Sequence, residues 1–134
     1  MATLVVVSTA AVVLVLVLLV NRQSGMAPVH TGPLKVENDV AVKASPPKGS
    51  CGTTFTFVAT GTVNGVGRMV YRWEQSDGRS TPDLSVDIGQ TVGSYALHQS
   101  WRLEGAQMVQ GAMTFRVLKP TPRAASAAIV YSCS

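Results

Sequence analysis

Few side chains in this 134-residue chain could do chemistry. The candidates for nucleophile or metal ligand are two cysteines, Cys51 and Cys133, and two histidines, His30 and His98. Seven carboxylates complete the set: Glu37, Asp39, Glu74, Asp77, Asp83, Asp87 and Glu104. A Ser-His-Asp relay or a histidine metal site needs an imidazole held beside its partners. His30 falls in a stretch rich in Gly and Pro and reads as a solvated linker residue, while His98 falls on the outward side of a strand pattern. Neither supplies such a site. Asp77, Asp83 and Asp87 flank one connection and could offer oxygens to calcium, but their spacing fits no calcium-loop pattern, so solvated turn residues are expected. No phosphate-cradling Gly loop and no dinucleotide fingerprint occur. The expectation is a protein without catalytic residues, cofactor or metal.

The two cysteines bracket the strand-rich part of the chain. In a reducing compartment a lone pair at this spacing would be incidental; beside an export or membrane segment a disulfide is the better reading. Closing so long a loop stabilises a fold by about 4 to 5 kcal/mol in the chain-entropy model. A bridge of this kind needs an oxidising environment, which puts the domain outside the cytoplasm.

The segment that bears on this is residues 2–20, nineteen positions without a charge, thirteen of them Val or Leu. At about 1.5 Å per residue an apolar helix of that length matches a hydrocarbon core of about 30 Å. Residues 1–20 are therefore read as a transmembrane anchor inserted in the lipid bilayer through residues 2–20. A cleaved signal peptide competes with this, but the apolar run exceeds the usual length and residues 21–25 offer no small-x-small cleavage site. Arg22, the only nearby basic residue, lies on the C-terminal flank, where the positive-inside rule would turn the domain inward. The cysteine-bracketed domain outweighs that rule, and a basic extension upstream of the given start is expected to resolve the conflict. The net charge is +4, with eleven basic residues spread from Arg22 to Arg123 rather than clustered, so no nucleic-acid partner is expected.

Positioning elements come next. Residues 21–33 carry Gly25, Pro28, Gly32 and Pro33 without periodicity and read as a linker. From Leu34 to the end, a two-residue period takes over. Leu34, Val36, Val40, Val42 and Ala44 share the inner face of a first strand, with Asn38 the inward exception, and residues 45–50 break it. A second strand places Cys51, Thr53, Phe55, Phe57 and Ala59 on one side; a third places Met69, Tyr71 and Trp73 on one side. Asn64-Gly65 tempts one to join these two as a hairpin, but then Phe57 and Trp73 would face opposite ways, so the chain is expected to cross to another sheet there. Shorter patterns follow at Leu84–Ile88, at 94–103 with Tyr95, Leu97 and Trp101 inward, at 111–117 with Met113, Phe115 and Val117 inward, and at 125–133.

Seven strands over about one hundred residues, with no helical period and a buried tryptophan, predict an all-β fold: an immunoglobulin-like antiparallel sandwich over residues 34–134, preceded by one N-terminal transmembrane helix. Its core anchors are Trp73, Tyr71, Phe55, Phe57 and Trp101.

At this point the sequence resembles the extracytoplasmic immunoglobulin-like domains of actinobacteria, often found after a transmembrane helix in membrane proteins and receptor-type serine/threonine kinases. The residues that carry it are Cys51 ahead of Thr54-Phe55-Thr56-Phe57, Tyr71-Arg72-Trp73 with Ser76-Asp77-Gly78, Ser100-Trp101-Arg102-Leu103, Val117-Leu118-Lys119-Pro120, and Ser126 to Tyr131 leading into Cys133. One departure is Ala112-Met113, where that family often has an aromatic. The resemblance implies a Cys51–Cys133 disulfide, a binding or spacer role, and no catalytic residue. The expected function is a non-catalytic, single-pass, membrane-anchored domain outside the cytoplasm that binds a protein or cell-wall ligand. A structural spacer that partners another membrane protein, or a secreted module if the first segment is cleaved, is the alternative.

Overall fold

A computed structural model describes residues 31–134. Nine strands appear: β1 (Lys35–Val36), β2 (Ala41–Ser45), β3 (Lys48–Gly49), β4 (Thr54–Asn64), β5 (Gly67–Gln75), β6 (Leu84–Ile88), β7 (Ser94–Arg102), β8 (Met108–Lys119) and β9 (Arg123–Ser132). They form two sheets. In the first, β4 is central, with β1 and β2 end to end along one side and β7 along the other; the second runs β3-β9-β8-β5-β6. All pairings are antiparallel except β3 with β9.

Alternation explains why these segments pair as they do. In β4, Phe55, Phe57, Ala59 and Val63 are buried while Thr54, Thr60 and Thr62 are exposed; in β8, Met113, Phe115 and Val117 are buried between half-buried neighbours. A strand with one apolar side must lay that side on another sheet. Phe115 stands at the centre of the result, its ring 5.0 Å from Trp73, 5.4 Å from Tyr71 and 6.0 Å from Tyr95, centroid to centroid. Tilted rings at such distances add roughly 0.5–1.5 kcal/mol per pair beyond burial.

The chain leaves the first sheet for the second between Asn64 and Gly67, as the parity of Phe57 and Trp73 requires. Gly65 makes the crossing with φ of 88°, and a Cβ there would run into the Pro33 carbonyl. Pro33 itself bridges Val66, and the Gly32 carbonyl accepts from the Val66 N–H at 3.0 Å.

Several expectations need correction. The count of about seven strands becomes nine. The first expected strand is split, because residues 37–40 bulge away from β4: Glu37 N–H donates to the Thr62 carbonyl and the Asp39 carboxylate takes the Thr62 N–H and hydroxyl at 3.0 and 2.8 Å. Asn38 is consequently exposed rather than inward. Lys48–Gly49, within the expected break, pairs with β9, steadied by the Val130 N–H on the Pro47 carbonyl. Cys51 lies in a turn before β4, not on the strand.

Tyr71 is half-buried, unlike Trp73 at 1% exposure. Its side chain points inward, but the first sheet has only β7 beyond β4 on that side, whereas the second extends through β5 to β6. The inner face near β6 is therefore only partly roofed. Residues 2–20 and 21–30 lie outside the described residues; among those described, no helix is long and apolar enough to cross a membrane.

Candidate binding surfaces

The cysteine pair closes one end of the sandwich. Cys51 and Cys133 are disulfide-bonded, with Cα atoms 4.7 Å apart and a sequence separation of 82. Around the bridge, the Tyr131 hydroxyl donates to the Gly105 carbonyl at 2.9 Å and accepts from the Gly52 N–H at 3.4 Å, and the Cys133 N–H donates to the Gln107 carbonyl. Half-buried Cys133 and the exposed turn at Cys51 thus form a structural clasp.

On the outer face of the second sheet, charges are laced across strands. Arg72 and Arg116 sit directly opposite one another in the β5–β8 register, a repulsive arrangement unless an anion intervenes. Glu74 is that anion: its carboxylate accepts from Arg116 Nε at 2.6 Å and Arg72 Nε at 3.2 Å. The hydrogen bond from Arg116 chiefly holds the Glu74 carboxyl below its ordinary range; desolvation opposes this in part, and the charges of Arg116 and Arg72 reinforce it. The three aspartates weighed for calcium do not converge. Asp77 lies near Arg79, Asp83 3.9 Å from Arg72, and Asp87 3.0 Å from Arg68. Among the described residues, no group of three or more His, Cys, Asp or Glu side chains could hold a metal ion.

The outer face of the first sheet has a different character. Rows across its strands read Ser45, Thr56, Ser100; Lys43, Val58, His98; and Ala41, Thr60, Ala96. Hydroxyls and small side chains predominate, and His98 is exposed as expected. A groove of about 480 Å³ lies at the β2 edge over Ala41, Val42, Lys43, Ser45, Val58 and Thr60.

The third surface is the partly roofed side between β7 and β6. Here the segment after β5 doubles back: Gln75 N–H donates to the Arg79 carbonyl at 2.8 Å, Thr81 N–H to the Trp73 carbonyl at 2.9 Å, and Trp73 N–H to the Thr81 hydroxyl at 3.0 Å. It walls a pocket of about 230 Å³ with Trp73 and Met113 beneath and Gln75, Gln99, Arg79, Ser80 and Thr81 around it. Farther along, Leu84 and Val86 point inward yet are half-buried. Amphipathic alternation in 84–88 signalled these residues, but nothing local signalled that they lack a full cover.

Inside the fold, the Tyr95 hydroxyl is buried with no hydrogen-bond partner among the described residues. It lies over Gly61, its cross-strand neighbour, where any Cβ would collide with it. Burial, with the nearby Asp39 charge, pushes its pKa to about 12. Asp39 itself is lowered, first by the Thr62 N–H and then by the Thr62 hydroxyl. The expected core anchors Phe55, Phe57, Trp73 and Trp101 are buried, and together with half-buried Tyr71 they form no polar cleft.

Two antiparallel-dominated sheets packed face to face, with β4 and β5 in different sheets, define an immunoglobulin-like β-sandwich. The fold is similar to the crystal structure of the CARDB domain of the PF1109 protein from Pyrococcus furiosus, solved in complex with di-metal ions. The TM-score is 0.55 at 14% sequence identity, over 78% of this chain and 97% of that one. So distant a likeness speaks for the fold alone. No protein-family model matches the sequence, and neither does any curated protein.

Proposed function

We propose that the chain is a non-catalytic, membrane-anchored immunoglobulin-like domain, held in the lipid bilayer through residues 2–20 and exposed outside the cytoplasm, where it binds a protein or cell-wall ligand. The observation that carries this reading is the Cys51–Cys133 disulfide, which ties the turn before β4 to the end of β9 and calls for an oxidising compartment. The uncharged run at 2–20 supplies the means of attachment. A binding role draws support from two surfaces without paired charges, the hydroxyl-rich outer face of the first sheet, where Lys43 is the one charge in the groove, and the pocketed side next to β7, where Arg79 is the one charge in the wall.

The di-metal ions of the Pyrococcus furiosus domain are not carried over. Asp77, Asp83 and Asp87 each lie beside an arginine here, and that cation already supplies the compensating charge a metal would bring. The resemblance to actinobacterial extracytoplasmic domains agrees with the placement.

Cell fractionation, protease shaving of intact cells and thiol labelling test the reading together. The chain should sediment with membranes, lose its domain to external protease, and show free thiols only after reduction. Recovery in the soluble cytoplasmic fraction, or labelling of Cys51 and Cys133 without reductant, would sink it.

A further inference from the structure

Among the described residues the sandwich has one long bare edge. Strand β7 pairs with β4 over nine consecutive residues without a register shift and has no strand on its other side among the described residues. The phase of its hydrogen bonds is fixed at both ends: the Val63 N–H donates to the Gly93 carbonyl, and the Leu103 N–H to the Thr53 carbonyl. Odd-numbered residues of β7 therefore turn their backbone groups to β4. Even-numbered residues, Ser94, Ala96, His98, Ser100 and Arg102, turn theirs outward.

Other edges are guarded. Strand β6 is five residues long, follows Pro82 and carries Asp87 paired to Arg68; β2 is five residues long, is followed by Pro46 and carries Lys43. Shortness, charge and proline are the usual protections of a sheet edge. β7 has none of them before Arg102.

Beside this edge the second sheet extends past the first, leaving Leu84 and Val86 half-buried, and the pocket over Trp73 and Met113 opens on the same side. We infer that this side is a strand-addition site for an extended segment of a partner protein, paired to the even-numbered backbone groups of β7. The inference rests on the reading of the domain as a binding module. In such pairing, main-chain hydrogen bonds provide affinity, and side chains on alternate positions provide specificity. The inward positions of the partner strand meet Leu84 and Val86 at one end, which suits Val, Ile or Leu. At the other end an inward position meets Gln75, Gln99 and Thr81, which suits a small amide or hydroxyl side chain. A second copy of this chain does not fit, because pairing β7 with β7 about a two-fold brings β6 of one copy into the place of β5 of the other. The site accepts one strand, not a second sandwich.

The test pans a phage-displayed library of random nine-residue peptides against the full chain in detergent micelles. Enriched peptides should alternate apolar and polar residues, and on binding should slow amide hydrogen exchange at Ala96, His98 and Ser100. His98→Pro removes an outward N–H while leaving the bonds to β4 in place, and should weaken these peptides about tenfold or more. His98→Ala should leave them unchanged, since backbone rather than imidazole makes the contact. Equal binding to His98→Pro would overturn the assignment and leave the binding-module reading standing with its site elsewhere. Absence of any enriched peptide would overturn it too, while membrane placement is judged separately by shaving and labelling. Slow exchange at those three amides in the free chain would likewise overturn it, because the edge would already be covered from within.

Discussion

On their inner sides β4 and β8 carry the same pattern, Phe55, Phe57 and Ala59 in one and Met113, Phe115 and Val117 in the other, every one of them buried. On their outer sides the two sheets differ. The β4 sheet shows Thr54, Thr56, Val58, Thr60 and Thr62 beside Ser94, Ala96, His98 and Ser100; the β8 sheet shows Arg72, Glu74 and Arg116 locked together, with Asp83 and Arg68–Asp87 nearby. Inner faces are bound by one requirement, to fill the space between sheets, and so converge on apolar side chains. Outer faces answer to solvent and partners. A face of guanidinium–carboxylate contacts stays hydrated and repels casual strand pairing, whereas a hydroxyl-lined sheet ending in an unguarded strand can accept a neighbour at little desolvation cost.

The sharpest way to break the equivalence of the inner faces is to untie the two sheets. Cys51 follows β3 of one sheet and precedes β4 of the other, so the bridge to Cys133 holds the crossover in place. Replacing both cysteines by serine should cost about 4.5 kcal/mol for a loop of this length. A denaturant titration showing less than about 1 kcal/mol would mean that the crossover is held by packing alone. Next in size, Trp73→Ala should cost about 3–5 kcal/mol, and Tyr71→Ala about half that, because Tyr71 is only half-buried in spite of lying on the same inner face. Equal losses for the two would show that the partly roofed side is closed in solution.

That unequal pair also marks where local pattern stops being informative. Alternation makes Phe55, Phe57, Trp73 and Trp101 readable as inward, because burial on a packed face is written into every second residue. The crossing at Asn64-Gly65 is readable by the same logic, since a hairpin would turn Phe57 and Trp73 to opposite sides. Tyr71 obeys the pattern too, yet its cover depends on how many strands the other sheet has above it. Lys48–Gly49 has no alternation to read; it becomes β3 through a backbone bond between Pro47 and Val130 and the nearby disulfide. The split at 37–40 is set by Asp39 meeting Thr62, a contact 23 residues away. The bare edge is the least legible feature. His98 can be placed outward from its own strand, but which way its N–H points is fixed only by the pairing of β7 with β4.

A smaller effect probes the inner face of the β4 sheet alone. Gly61→Ala puts a methyl into the Tyr95 hydroxyl and should cost about 1–3 kcal/mol by overpacking. Tyr95→Phe removes a buried hydroxyl that has no partner among the described residues and should be close to neutral, and it should lessen the penalty of Gly61→Ala when the two are combined. Additive losses in that double variant would place the strain elsewhere.

The smallest expected effect belongs to the charged outer face and depends on pH. Glu74 is folded with its carboxyl below the ordinary value because of Arg116, so the unfolded chain binds its proton more readily. Its contribution is therefore complete above the unfolded value of about 4.3, and is lost as pH falls through the lower folded value. Glu74→Gln should cost under about 1 kcal/mol at pH 7, since the pairs are partly solvated, and leaves Arg72 opposite Arg116 without an intervening charge. The difference between the two proteins should narrow as the solution is acidified below about pH 4.3. A gap that instead widened in acid would mean that the carboxylate is disfavoured in the fold, and the contrast between a charge-locked sheet and a hydroxyl-lined one would lose its electrostatic half.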